Sequence, residues 1–272
     1  MTIPSPSPGR PVGALLRLWR ERRGLSQLNL ACRADVSSRH VSFLETGRSQ
    51  PSREMLLHLC EELEIPLRER NALFMAAGFA PVYAERSLDD PALRATREAV
   101  ELVLHGHEPY PALAVDRHWR LVSANRALGA LLTGLAPELL QPPVNVLRLS
   151  LHPSGLAPRI LNLAQWREHL LARLRHQVEL TADPVLSTLL EELRGYPAPA
   201  PSGREHEPAG VVVPLCLETA AGPLSFFSTI TVFGTPIDIT LSELAIESFF
   251  PADPATAEAL RQLSGQAGRL AT

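Results

Sequence analysis

A chain of 272 residues, 45% hydrophobic and 20% charged, has the composition of an ordinary globular protein and the length of two domains. Its formal net charge of −3 excludes a molecule that is polycationic as a whole. The two ends nevertheless differ: residues 1–80 carry 11 Arg against 8 Asp and Glu, a balance of +3, which leaves 15 against 21, or −6, for the remainder. Only the N-terminal part therefore has the sign that a polyanion attracts.

Residues 1–11, MTIPSPSPGRP, are rich in Pro and Ser and read as a flexible N-terminus without the apolar stretch of a signal peptide. From Val12 to Ala77 the pattern predicts five short helices. In the first, VGALLRLWRERRG, Leu15, Leu16, Leu18 and Trp19 share one side, with Arg17, Arg20, Arg22 and Arg23 mostly on the other, a solvated face. Ser26 N-caps the second, QLNLACRA, and Asp35-Val36 makes a tight connection. Ser37 caps the third, SRHVSFLET, with Val41 and Leu44 inward and Gly47 as a left-handed C-cap. Pro51-Ser52 opens the fourth, REMLLHLCEEL, and LRERNALFMAAGF is the fifth. A boundary falls in the polar, turn-rich stretch after Phe79, giving a head at 12–80, a linker at 81–91 and a second domain at 92–272.

The second domain begins with the helix ALRATREAVELVLHG. A strand, a turn at Asp116-Arg117, a second strand through Val122 and a helix from Asn125 follow. Two helical stretches come next, RILNLAQWREHLLARLRHQVEL and VLSTLLEELRG, and then the loop YPAPAPSGREHEPAG. The tail is β: GVVVPLCLE, GPLSFFSTITVFG and IDITLSELAIESFF, with turns at Ala221-Gly222 and Gly234-Thr235-Pro236, and a last helix ADPATAEALRQL. The class is α+β in two domains, an all-α head followed by an antiparallel sheet with helices packed on one face. No apolar run is long enough to span a bilayer. Cys32, Cys60 and Cys216 are widely spaced without metal-ligand spacing, so a reduced, cytoplasmic setting is expected.

The stretch RADVSSRHVSFLETGRSQPS concentrates polar residues at the start of a short helix that has little use for them in a core. With LSQLNLAC before it and LExG followed by PS at its end, it resembles the XRE-type helix-turn-helix of phage repressors and bacterial regulators over about residues 12–77. Gln27, Val41, Leu44 and Glu45-Thr46-Gly47 all fall where that family has them, although Asp35 stands where Gly is common. Asp adopts the left-handed conformation more readily than most residues, so the turn survives. The major groove admits one α-helix, whose N-terminal outward residues meet base edges. Ser38, Arg39, Ser42 and Phe43 project from that face, with His40 beside them. Arg39 suits bidentate contact with guanine and Phe43 apolar contact with a thymine methyl. Gln27, Arg48 and the helix amide ends at Ser26 and Ser37 suit phosphates.

Four further blocks, LRERNALFMAAGFAPVYAERSLDDPAL, HEPYPALAVDRHWRLVSANRA, NVLRLSLHPSGLAPRILN and ESFFPADPATAEAL, resemble in order the MmyB-like transcriptional regulators of actinobacteria and related bacteria. That resemblance implies a helix-turn-helix head, a PAS-like ligand-binding and dimerisation domain, and a small apolar ligand of the fatty-acyl kind. The residues themselves offer Leu224, Phe226, Ile230 and Val232 on one strand face, Phe227 and Phe233 on the other. The helix stripe Leu163, Trp166, Leu170 and Leu174 is placed to cover the sheet. A cavity between them would be apolar. Trp166, Leu170, Phe226, Phe227 and Ile230 are its expected lining, and Arg159, with His152, its candidates for an anionic head group. His105 and His107 lack a third ligand, so no metal site is expected. None of G-x-S-x-G, H-E-x-x-H, G-x-x-x-x-G-K or G-x-G-x-x-G occurs, and neither catalysis nor a cofactor is expected. The expectation is a homodimeric regulator that binds double-stranded DNA at an inverted repeat and responds to a small molecule. The alternative is a repressor- or antitoxin-like protein whose second domain binds a protein partner or only dimerises.

Overall fold

A computed structural model describes residues 11–197, 213–234 and 236–269. The expectations for residues 1–10, for most of the loop 196–210, for the start of GVVVPLCLE and for Thr235 lie outside the described residues. The chain forms two compact units. One is built from the residues up to Arg86 with His176–Ser187 and Pro236–Ser242; the other comprises Ser87–Arg175, Thr188–Thr235 and the chain from Glu243 onward.

The first unit contains α1 (Val12–Arg22), α2 (Gln27–Arg33), α3 (Ser38–Glu45), α4 (Arg53–Glu62) and α5 (Leu67–Ala76). Three of them start on a serine. Ser26, Ser37 and Ser52 accept hydrogen bonds from the amides of Asn29, His40 and Met55 at 3.0, 3.1 and 3.2 Å, each satisfying an otherwise orphaned first-turn donor. The α2–α3 turn depends on Asp35, which adopts φ 49°, while Val36 N donates to Ala31 O at 3.0 Å. Gly47 (φ 73°) ends α3, and Arg48 N donates back to Phe43 O. Trp19, Leu16, Leu30, Leu44, Leu56 and Phe74 are among the side chains buried in a single core. Cys60 belongs to it too; burial pushes its thiol up to about 12, so it is a core residue and no nucleophile.

Residues expected to form part of a linker are held in this unit. Asn71 of α5 accepts from the amides of Val82 and Tyr83 and donates to Tyr83 O. The short helix α11 (Ile239–Ser242) follows Asp238, which is buried, accepts from Arg86 at 3.0 Å and caps Thr240 N at 2.9 Å. Ile239 N also donates to Ala84 O at 2.8 Å. The expected strand IDITLSELAIESFF is thus corrected: its first half is this helical turn, because an Asp cap and Thr240, Ser242 and Glu243 favour local hydrogen bonding over a ladder.

The second unit is a five-stranded antiparallel, PAS-like sheet of order β2-β1-β5-β4-β3. Its strands are β1 (Ala112–Val115), β2 (Leu121–Ala124), β3 (Leu215–Thr219), β4 (Gly222–Val232) and β5 (Ala245–Pro251). Helix α6 (Arg94–Gly106) sets Val100 and Leu104 against Ala112, Ala114 and Ile246 on one face. The opposite face is covered by α7 (Arg126–Leu131), α8 (Val146–Leu151) and the first part of α9 (Leu163–Thr181). The helical covering expected on one face is therefore joined by α6 on the other. Two further helices, α10 (Pro184–Arg194) and α12 (Pro254–Arg269), complete the chain. Among the described residues no helix is long and apolar enough to cross a membrane.

Candidate DNA-reading and ligand-binding sites

Helix α3 buries Val41 and Leu44 and leaves Ser38 and Arg39 exposed, with Ser42 and Phe43 half-buried on the outward side. Two guanidinium groups lie over the Phe43 ring, those of Arg39 at 5.1 Å and Arg48 at 5.8 Å from its centroid. An aromatic face is attractive to cations, so Phe43 braces both arginines on the helix surface. Ser37 spends its hydroxyl on the N-cap, and Ser42 lends its carbonyl to Thr46 Oγ1 at 2.7 Å. His40 is half-buried, one turn from Phe43.

What holds this helix is a buried polar network. Glu45, the last residue of α3, accepts from Arg20 Nε and, at 3.0 Å, from Arg20 Nη2, and from Gln27 Nε2 at 2.8 Å. Arg20 Nη1 donates to Leu25 O at 2.6 Å. The carboxylate thus ties α3 to α1 and to the first residue of α2. Arg20 was expected on a solvated face and is buried instead, because its position faces the end of α3, where Glu45 supplies the counter-charge. Arg23 likewise turns inward, donating to Leu63 O and Glu64 O at 2.8 Å, and burial lowers its pKa. Arg17 remains outside beside Glu21. Gln27, expected at a phosphate, has one amide proton committed to Glu45 and a second one left for a DNA contact. Gly13 was not singled out by its sequence context. A Cβ there would stand 2.2 Å from Leu44 O, so only glycine allows α1 to rest on the end of α3.

In the second unit, strand alternation decides which residues line a cavity. Pairing places Leu113, Glu247 and Phe249 on one face with Phe226, and there they meet α7, α8 and α9. The space between them is about 80 Å³, walled by leucines from every one of these helices, by Phe226 and Phe249, and by Trp119 and Trp166. Trp166 Nε1 donates to Ser150 Oγ at 2.9 Å. Trp119 sits in the β1–β2 turn with φ 64°; Asp116 Oδ1 accepts from the amides of His118 and Arg120 and sets that turn.

Three of the six lining residues expected from sequence, Trp166, Leu170 and Phe226, lie on this wall, and three do not. Phe227 points to the opposite face, as a strand neighbour of Phe226 must, and stacks on Phe250 at 5.3 Å. Ile230 shares the face but lies beyond the cavity and is 47% exposed. Arg159 borders a separate depression, where Nε donates to Glu218 O and Nη1 to Leu131 O and Thr133 O. His152 accepts from Ser154 N and packs edge-on against Tyr196. Glu247, Trp119 and Ser150 were missed, since a polar residue in a strand or turn carries no sequence signal of facing a cavity. No group of three or more His, Cys, Asp or Glu able to hold a metal occurs among the described residues.

The chain combines a five-helix unit carrying a serine-capped outward helix with a sheet unit carrying an apolar cavity, the make-up of a helix-turn-helix, DNA-binding transcription regulator with a ligand-binding domain. Sequence comparison agrees: residues 11–73 match a helix-turn-helix domain, and residues 96–263 match the MmyB-like transcription regulator ligand binding domain. The chain belongs to the MmyB-like transcription regulators. No curated protein matches the sequence. Two solved structures of the clp gene regulator ClgR from Corynebacterium glutamicum are 31% identical over 25% and 39% of this chain and 83% and 99% of theirs, with TM-scores of 0.22 and 0.23. An RNA-binding Light-Oxygen-Voltage receptor is 14% identical over 93% of this chain and 64% of its own, with a TM-score of 0.26. Scores of this size carry no structural argument.

Proposed function

We propose that the protein acts as a dimer on an inverted-repeat operator, with α3 of each copy in the major groove, and that a small apolar molecule in the cavity of the second unit modulates binding. The head reading is carried by the outward Ser38-Arg39-Ser42-Phe43 surface on a helix locked from behind by Glu45. Arg39 and Arg48 add charge where base edges and phosphates meet such a helix. Two-fold pairing follows from groove geometry, since one recognition helix reads too few base pairs and half-sites repeat about 34–36 Å apart. The ligand reading rests on the leucine-lined space, which an apolar molecule fills at little desolvation cost.

Selection of bound duplexes from a random pool, followed by anisotropy titration of the enriched sequence, tests the first half. A palindromic consensus bound at two chains per duplex is expected, and a non-repeated site bound by one chain overturns the dimer. Native mass spectrometry followed by unfolding and organic extraction tests the second half. An apolar molecule released on unfolding supports the cavity. A co-purifying protein instead favours the reading in which the second domain binds a partner.

A further inference from the structure

The cavity wall is mostly apolar, and among the described residues the one charged residue in it is Glu247. Glu247 sits on the central strand β5, opposite Leu113 of β1 and Ile230 of β4, with its side chain 7% exposed. One carboxylate oxygen, Oε1, accepts from Arg173 Nη1 at 3.1 Å, and the Arg173 guanidinium in turn lies 4.3 Å above the Trp119 ring. Arg173 is thus held outside the lining by its two partners, while Glu247 is part of the lining. A carboxylate accepts up to about four hydrogen bonds, so acceptor capacity remains on this lining residue beyond its bond from Arg173. The other polar groups of the wall are weaker: Trp166 has given its N–H to Ser150, whose hydroxyl remains a small two-way group.

Resting on the reading of this cavity as the ligand site, we infer that its ligand is a medium-chain amphiphile ending in a neutral hydrogen-bond donor, a primary alcohol or primary amide, and that Glu247 selects it against the corresponding carboxylic acid. The physical reason is charge. An alkyl carboxylate would bring a second anion against Glu247 in a site of low dielectric, where the nearest cation is already paired. A hydroxyl or amide N–H instead finds an acceptor that is otherwise incompletely satisfied. Length follows from volume: each water-sized group occupies about 10–15 Å³ by the same measure, so about 80 Å³ holds roughly five to eight of them. The upper end of that range is a chain of about seven carbons with one terminal polar atom.

The test uses the full-length protein with 1-heptanol, heptanamide and heptanoate at pH 7.5, read by calorimetric titration and by the shift in melting temperature. Heptanol and heptanamide are expected to bind at least about tenfold more tightly than heptanoate, the scale of discrimination reached when a polar partner is mismatched in a closed pocket. In Glu247→Gln the anion is gone and Arg173 is released, so heptanoate should come within about threefold of heptanol or overtake it. Heptanoate matching heptanol in the unsubstituted protein, or an unchanged gap in Glu247→Gln, overturns the inference and leaves the cavity reading standing. Binding of none of the three overturns the cavity reading itself. Leu131→Trp, which fills the cavity, should abolish all binding, and binding that survives it lies elsewhere and overturns both. If Glu247→Gln fails to fold, the comparison in the unsubstituted protein still decides.

Discussion

Arg20 and Glu45 form a bidentate ion pair across the back of the helix-turn-helix, with side chains only 9% and 3% exposed. The two residues are 25 apart in sequence, and the bond joins the last turn of the first helix to the last residue of the third. Removing one partner leaves a buried charge uncompensated. Arg20→Ala and Glu45→Ala should therefore each lower the stability of the head by about 3–5 kcal/mol, and the double substitution should cost less than the sum. Urea unfolding of the three variants measures this; additive losses would mean that the pair does not couple.

Gly13→Ala should cost about 1–3 kcal/mol, although alanine is the better helix former. The added carbon meets a backbone oxygen, Leu44 O, with Glu45 O 2.8 Å away, so relief requires moving one helix off another. Because the displaced element is α3, operator affinity should fall with melting temperature. A neutral or stabilising Gly13→Ala would show that α1 and α3 stand further apart.

Arg39 is exposed and braced on Phe43, so truncating it should leave the fold intact while weakening specific binding. Arg39→Ala is expected to lose roughly 1–3 kcal/mol, on the order of tenfold to a hundredfold, and to relax base preference at one position per half-site. Arg48→Ala should weaken all sequences alike and flatten the salt dependence. A competition titration against single-base operator variants distinguishes the two patterns.

His169 in α9 stacks on Trp166 at 5.5 Å, and its pKa is lowered, first by burial and then by Arg173. A histidine with a depressed folded pKa resists protonation that the unfolded chain accepts. It contributes nothing at pH 8, and stability falls as pH drops below the unfolded value of about 6.5. His169→Gln should remove that part of the acid sensitivity. Urea midpoints at pH 7.5 and 5.5 should separate by less in the variant than in the parent protein.

The five head helices, their serine caps, the glycine after Glu45 and the left-handed Asp35 follow from local chemistry that the chain writes into adjacent residues. A cap needs its partner three positions on, and a turn needs its dihedral at one residue; both are readable in order. The sheet strands are equally legible in Phe226 and Phe227, whose alternation alone assigns them to opposite faces. Which face meets the helices and where along the strand the cavity lies depend on pairing, which is not local, and without it Phe227 and Ile230 pass for cavity residues.

By itself, then, the sequence determined where helices start and stop, that the chain has a helix-turn-helix head and a sheet-bearing second part, and which residues α3 turns outward. Tertiary structure alone decided the rest. It turned Arg20 from a surface charge into the anchor of the recognition helix, made Gly13 a contact, tied Arg159 to carbonyls of distant residues and set Glu247 in the wall of an apolar space. The reason is distance along the chain: each of these outcomes joins residues dozens of positions apart. A side chain's environment is set by what packs against it, which no neighbouring residue encodes.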